Sequence, residues 1–429
     1  MRLTVSTMAA LTALTSVVAV APALAQYGPP APPQPVVVQP KSDAATPAGP
    51  AALCQAGISK GARAALVALQ TAVAAKDSAN IPARIAAAQA VAKSNDDRCF
   101  IGQMQVKAAV DANDLKAVPA ALEAQLASGG VPATRIATLY EGLGQSFYGT
   151  NNFAEAGTAY ERASALDPSR VGPVILLAEI RAKQNRAADA VPLYRKAIAM
   201  ETAAGRVADT KWYGRALTVA YGAKSPLSFG LSREWLAAYP SAANWRDAMG
   251  IYANLSRASD HIMLDLYRLQ RLNKSLAGEN DHGRYANALI TKGFAGEAKA
   301  MLDEGFASKA VDPTRPSIKS YYALATSRAA GDRASLDGQA KGALANPAAK
   351  PAMVLGEAYF GYGDYAKAAA MFRAAQGKSG VDAELVNLRL GMALAASGDK
   401  AGAAAALAKV TGPRAEVARY WETYAKLRS

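Results

Sequence analysis

Histidine, cysteine and aromatic residues are all scarce in this 429-residue chain: two His, two Cys, and 7% Phe, Trp and Tyr together. No CxxC occurs, and neither His261 nor His282 has a second histidine three or four residues away, so the usual zinc arrangements are excluded. Sparse aromatic and β-branched residues argue against a sheet, since those side chains pack best on a pleated surface. After the first 25 residues no apolar run approaches the roughly 20 that a membrane-spanning helix needs. No cofactor motif is present, and none is expected.

What the chain does have is alanine, which dominates the 51% apolar fraction and favours closely packed helices. Its beginning reads as an address and not as structure. Arg2 gives a minimal basic region, Leu11 to Ala21 a short apolar run, and Ala23-Leu24-Ala25 the small residues a signal peptidase requires. Cleavage is predicted after Ala25, which puts the mature protein in the periplasm of a Gram-negative bacterium or outside the cell, with no transmembrane segment. Residues 26–50 carry Pro29, Pro30, Pro32, Pro33, Pro35, Pro40, Pro47 and Pro50 and read as a Pro-rich disordered linker, with polyproline II character and little to bury. In an exported chain the even pair Cys54 and Cys99 reads as a disulfide. The net charge of +14 ordinarily suggests nucleic acid; in an exported protein it points instead to anionic envelope polymers or acidic proteins, and no nucleic acid is expected.

From residue 51 to the end, helix-length segments alternate with short turns rich in Gly, Asn, Asp or Pro. Ser225-Pro226 marks a helix start, and Gly363-Asp364 and Gly398-Asp399 mark inter-helix turns. Tyr140, Leu143, Gly144, Phe147, Ala156, Tyr160, Ala163 and Pro168 form a pattern that returns 34 residues later as Val174, Leu177, Ala178, Ala190, Tyr194 and Ala197. Further copies are Leu355, Gly356, Tyr359, Ala368, Phe372 and Ala375, then Leu390, Gly391, Leu394, Ala403 and Leu407. These residues resemble the tetratricopeptide repeat family, most clearly over 137–170, 171–204, 349–382 and 384–417. The resemblance implies an all-α fold: a right-handed α-solenoid of about ten helix hairpins over 51–429. Predicted hairpin starts lie near 62, 99, 137, 171, 209, 243, 279, 317, 349 and 384, with a capping helix over 414–427. The fifth hairpin departs from the pattern, because Trp235 stands where a small residue is expected and Ser228 and Ser232 replace an alanine and an aromatic.

Family members bind peptides along the first helices of their hairpins. By that resemblance Glu141, Gln145, Tyr148, Glu179, Lys183, Glu357 and Phe360 would line a groove for a protein or peptide partner. Glu141 and Gln145 stand where some relatives carry the Lys and Asn that grip a terminal carboxylate, so a carboxylate-tail receptor is not expected. Arg268, Arg271 and Lys274 recur at three-residue spacing on one helix face and are candidates for an anionic glycan or exopolysaccharide. Catalytic motifs fail on context. Gly57-Ile58-Ser59-Lys60-Gly61 matches GxSxG without a preceding strand, and Ser397 to Lys400 matches SxxK on a repeat turn with no companion motif. Asp303 and Glu304 are adjacent and diverge on a helix, so they make a poor acid–base pair. A non-catalytic binding scaffold is the expectation.

Overall fold

The computed structural model describes Cys54, residues 57–329 and residues 332–428. The predicted signal peptide and Pro-rich linker lie outside the described residues. Among the described residues there are twenty-one α-helices, of which twenty follow one another in pairs. The first five hairpins are α1 (Arg63–Ala74) with α2 (Ile81–Val91), α3 (Asn95–Asp111) with α4 (Ala117–Ala127), α5 (Ala133–Gly149) with α6 (Phe153–Leu166), α7 (Val171–Lys183) with α8 (Ala187–Ala203), and α9 (Thr210–Gly222) with α10 (Leu227–Ala238). The next five are α11 (Ala242–Ser256) with α12 (Asp260–Leu272), α13 (Gly278–Thr291) with α14 (Ala295–Ala307), α15 (Pro316–Ala329) with α16 (Asp332–Ala345), α17 (Ala349–Gly361) with α18 (Tyr365–Ala375), and α19 (Ala383–Ser397) with α20 (Lys400–Leu407). A single helix, α21 (Ala415–Leu427), ends the chain. Among the described residues the only β-type pairing is one isolated bridge, Ala348 to Ser379.

Local chemistry sets the helix ends. Ser94 opens α3 with a capping box: its hydroxyl accepts from Asp97 N while the Asp97 carboxylate accepts from the Ser94 backbone, so two otherwise orphaned donors are satisfied. Asp209, Ser241, Asp382 and Asp399 accept from the first turns of α9, α11, α19 and α20 in the same way. Leu227 N donates to Ser225 Oγ before α10. Gly398 ends α19 at φ +92°, in the left-handed region where a side chain is costly.

The repeated small residues act where two backbones nearly meet. A Cβ on Gly144 would stand 2.9 Å from the ring of Tyr160 across the hairpin. One on Gly356 would stand 2.6 Å from Phe372, and one on Gly391 2.4 Å from Leu407. In each case the large partner lies 16 residues on in the chain, and Ala178 and Tyr194, both fully buried, keep the same spacing. A flat helix face thus receives a large side chain from its own hairpin partner, and burial of apolar area across each such contact holds the stack together.

At the N-terminus Cys54 and Cys99 form the disulfide, closing a 45-residue separation. Asp97 adds a second staple: it accepts from Ser59 N at 2.9 Å, Ser59 Oγ at 2.7 Å, Lys93 N at 2.9 Å and Ser94 N at 3.0 Å. Burial alone would raise its pKa, but these donors overcome that and hold the carboxylate well below the usual range.

The fifth hairpin explains its own departure from the pattern. Trp235 joins the core around Tyr213 and Leu217, and its indole N–H donates to Thr210 Oγ1 at 3.0 Å. Ser232, relieved of that filling role, faces elsewhere: its hydroxyl meets Tyr420 Oη of α21 at 2.7 Å. The C-terminal half therefore curls until α21 touches α10 and α12 as well as covering α19 and α20. One hydrophobic cluster runs unbroken from Leu236 through Trp245, Tyr252, Leu269 and Phe360 to Trp421. The predicted cap over the last pair is present, and it also reaches back across the curve to hairpins five and six.

Candidate functional site

The first helices α5, α7 and α9 of three successive hairpins are tied to one another by ion pairs. Arg170, just before α7, donates from Nε to Glu141 at 3.0 Å, with its Nη2 also on the same carboxylate oxygen, and from Nη1 to Thr138 at 3.4 Å. Arg215 of α9 reaches back to Glu179 of α7 at 3.1 Å. Tyr148 packs edge-on to Phe153 with centroids 5.5 Å apart, and the Lys183 ammonium sits 5.7 Å from the Tyr148 ring centre and 5.5 Å from that of Phe153. This is the spacing of a cation on aromatic faces. The Tyr148 phenol is pushed up by burial and by Glu179, while Arg215 pulls it back. Gln145 is half-buried on α5, one turn from both Glu141 and Tyr148.

The structure thus brings Tyr148, Glu179 and Lys183 together, and places Glu141 and Gln145 on the same side of α5. Sequence reasoning missed Arg170, Phe153 and Arg215. A signal for the two arginines existed: opposite charges separated by 29 and 36 residues, close to one repeat, put partners on successive first helices. The Tyr160 hydroxyl is fully buried with no hydrogen-bond partner among the described residues, beside the charge of Glu141.

The C-terminal half is different. Glu357 and Phe360, expected in an open groove, are 9% and 4% exposed, because the curl of the chain closes over them. Arg268, expected on an exposed basic face, is 1% exposed, a correction with a clear cause. Its guanidinium donates to Glu297 at 2.9 and 2.6 Å and to Glu357 at 2.5 Å, and stacks between Phe294 and Phe360 at 5.2 and 5.1 Å. Arg389 completes the network, bonding Asp265 at 2.5 Å and also Glu357. Tyr285 donates to Glu297 at 2.6 Å. Burial would raise the Glu357 pKa, but Arg268 and Arg389 bring it down to about 2. Asp265 goes the other way, raised by burial against the pull of Arg389 and Arg268.

Arg271 is held by Glu304 at 2.6 and 2.9 Å and by the Gly361 carbonyl at 3.4 Å. Lys274 alone of the three cations is exposed, on the turn after α12 at φ +58°. The three do not form a common solvated surface, since two of them face carboxylates across the curve.

The motifs tested for catalysis sit in structural roles. Ser59 donates to Asp97, whose depressed pKa makes it a poor base. Ser397 donates to the Leu394 carbonyl at 3.0 Å. His282 is buried with Nδ1 2.7 Å from the Gly278 carbonyl, and His261 lies 3.3 Å from the Lys292 ammonium. Asp303 pairs with Lys299 while Glu304 pairs with Arg271. Among the described residues no cluster of three His, Cys, Asp or Glu could hold a metal, and no helix is long and apolar enough to cross a membrane.

No family model matches the chain, and no curated protein matches it. Solved structures do. A tetratricopeptide repeat protein from Parabacteroides merdae is 11% identical, with 69% of this chain and 99% of that one covered at a TM-score of 0.31. The C-terminal part of a TPR repeat-containing protein from Cytophaga hutchinsonii is 14% identical over 74% and 96% of the two chains, TM-score 0.30. A Rap protein complexed with Competence and Sporulation Factor is 13% identical over 83% and 98%, TM-score 0.24. The paired-helix architecture rests on this chain's own helices.

Proposed function

We propose that this protein is a non-catalytic scaffold of the bacterial envelope that binds a protein or peptide partner in the groove of α5, α7 and α9. The observation that carries the reading is the convergence of Tyr148, Phe153, Glu179, Lys183 and Arg215, drawn from successive hairpins, on one patch. Such a surface offers aromatic area, both signs of charge and bound donors, which suits a polypeptide. Export through the predicted leader is supported by the Cys54–Cys99 bond, which an oxidising compartment preserves. The anionic-polymer reading rested on the net charge and on the Arg268, Arg271 and Lys274 face; with Arg268 buried and Arg271 paired, that face does not carry it.

A photo-crosslinking amino acid placed at Tyr148, and for comparison at the exposed outer-face residue Lys196, tests the proposal in living cells. The expected outcome is one defined adduct from position 148, absent from position 196 and lost on Lys183→Glu. Equal labelling from both positions would sink the groove assignment, and a small-molecule turnover by the purified chain would sink the non-catalytic one.

A further inference from the structure

The last helix is bound to its own chain as a ligand is bound. Val417, Tyr420, Trp421 and Tyr424 stand at i, i+3, i+4 and i+7, the spacing by which an amphipathic helix anchors in an apolar groove. The first three are fully buried. The rings land on residues from distant hairpins: Tyr420 on Tyr252 at 5.6 Å, Tyr424 on Trp245 at 6.4 Å and Trp421 on Phe360 at 6.3 Å. Phe360 belongs to the first helix of the ninth hairpin. Charged contacts frame the edge. Arg233 pairs with Glu416 at 2.5 Å and lies 5.3 Å from the Tyr420 ring centre, and the Arg428 guanidinium meets the Ala395 carbonyl at 3.2 Å and that of Ala396.

Two features make the helix separable. Residues 408–414, closing in the turn Gly412–Arg414, join it to α20, itself eight residues long. The fit is incomplete at its centre, where the Trp421 indole N–H is buried without a hydrogen-bond partner. The partnership of Ser232 and Tyr420 shows that the receiving surface is adapted to this helix: α6 and α8 keep a tyrosine at the matching position, and α10 has a serine.

We infer that α21 is an autoinhibitory latch. It occupies the apolar surface offered by α11 and α17 and yields it to a partner helix carrying the same four anchors, aromatic in the last three, with an acidic residue in its first turn to meet Arg233. The inference draws on the scaffold reading only for the use made of the exposed surface; the latch itself is tested without any partner.

Amide exchange on the intact chain is the first measurement. Residues 415–427 should exchange at least ten-fold faster than those of α17 and α19, reporting opening short of global unfolding. The second uses a fluorescent peptide of residues 412–428 as the probe. Wild type should bind it weakly, because its own α21 competes, while Trp421→Ala and the surface change Glu416→Arg should each bind it at least ten-fold more tightly. A scrambled peptide should gain nothing. Equal protection of α21 and α19 overturns the latch. So does a Glu416→Arg chain that keeps its helical circular dichroism and takes up no more peptide than wild type. Neither readout involves the α5–α9 groove, so failure here leaves the photo-crosslinking result at Tyr148 standing, and failure there leaves this one.

Discussion

Two glycines of α5 differ only in what faces them, and exchanging each for alanine isolates the contact on which the repeat depends. A Cβ on Gly142 would meet nothing within 4 Å, whereas one on Gly144 would stand 2.9 Å from Cδ1 and Cε1 of Tyr160. Carbon atoms settle at about 3.5–4.0 Å, and the Tyr160 ring is fully buried. Alanine gains about 1 kcal/mol over glycine in a helix interior, and overpacking a well-filled contact costs about 1–3 kcal/mol. Gly142→Ala should therefore stabilise the chain by up to about 1 kcal/mol. Gly144→Ala should cost up to about 2 kcal/mol, the overpacking less the same gain. Because both substitutions lie in one helix, the propensity gain cancels in their difference, and about 1–3 kcal/mol of steric cost remains. Denaturant titration followed by circular dichroism measures that difference. Amide exchange across α5 and α6 localises it, which matters because repeat arrays can lose cooperativity along their length. Two variants of equal stability would refute the claim that glycine is needed at residue 144 for close approach.

Arg268→Ala should destabilise the chain by about 3–5 kcal/mol, since it leaves Glu297 and Glu357 buried with much of their counter-charge gone. Adding Glu357→Gln should recover part of that loss in a double-mutant cycle. Reducing the Cys54–Cys99 bond, or Cys99→Ser, should cost about 4 kcal/mol on the chain-entropy estimate for a 45-residue separation, read as a lower thermal midpoint under oxidising conditions. Asp97 has a folded pKa below its unfolded value, so its stabilisation is complete above about pH 4 and is lost progressively as the pH falls below that. Acid titration of wild type against Asp97→Asn should show the wild-type advantage shrinking over that range, and a constant advantage would contradict the staple.

The sequence exposed the hairpins well because their determinants are local. Predicted starts lie within four residues of the first helices of all ten pairs, and the final helix begins at Ala415. A glycine followed 16 residues later by a large apolar side chain encodes one helix crossing within one hairpin, and that relation can be read along the chain. The groove is a partial case. Tyr148, Glu179 and Lys183 lie on neighbouring repeats, so their register on successive first helices brings them together. Arg170 and Arg215 show only when charges about one repeat apart are compared, because each bonds to a carboxylate on the preceding first helix.

The sequence by itself determined the helices, their pairing, and which faces are small enough to touch, because each depends on residues a few turns apart. Only the tertiary structure decided which face of α12 sees solvent. The Arg268, Arg271 and Lys274 stripe looks the same in the chain whether it meets water or carboxylates, and the Glu357 that buries Arg268 lies 89 residues away. The closure of α21 onto α10 is likewise invisible locally, since Ser232 and Tyr420 are separated by 188 residues. Small angles between successive hairpins accumulate along a stack and set its curvature. Whether its inner surface stays open follows from that sum, which no single repeat encodes.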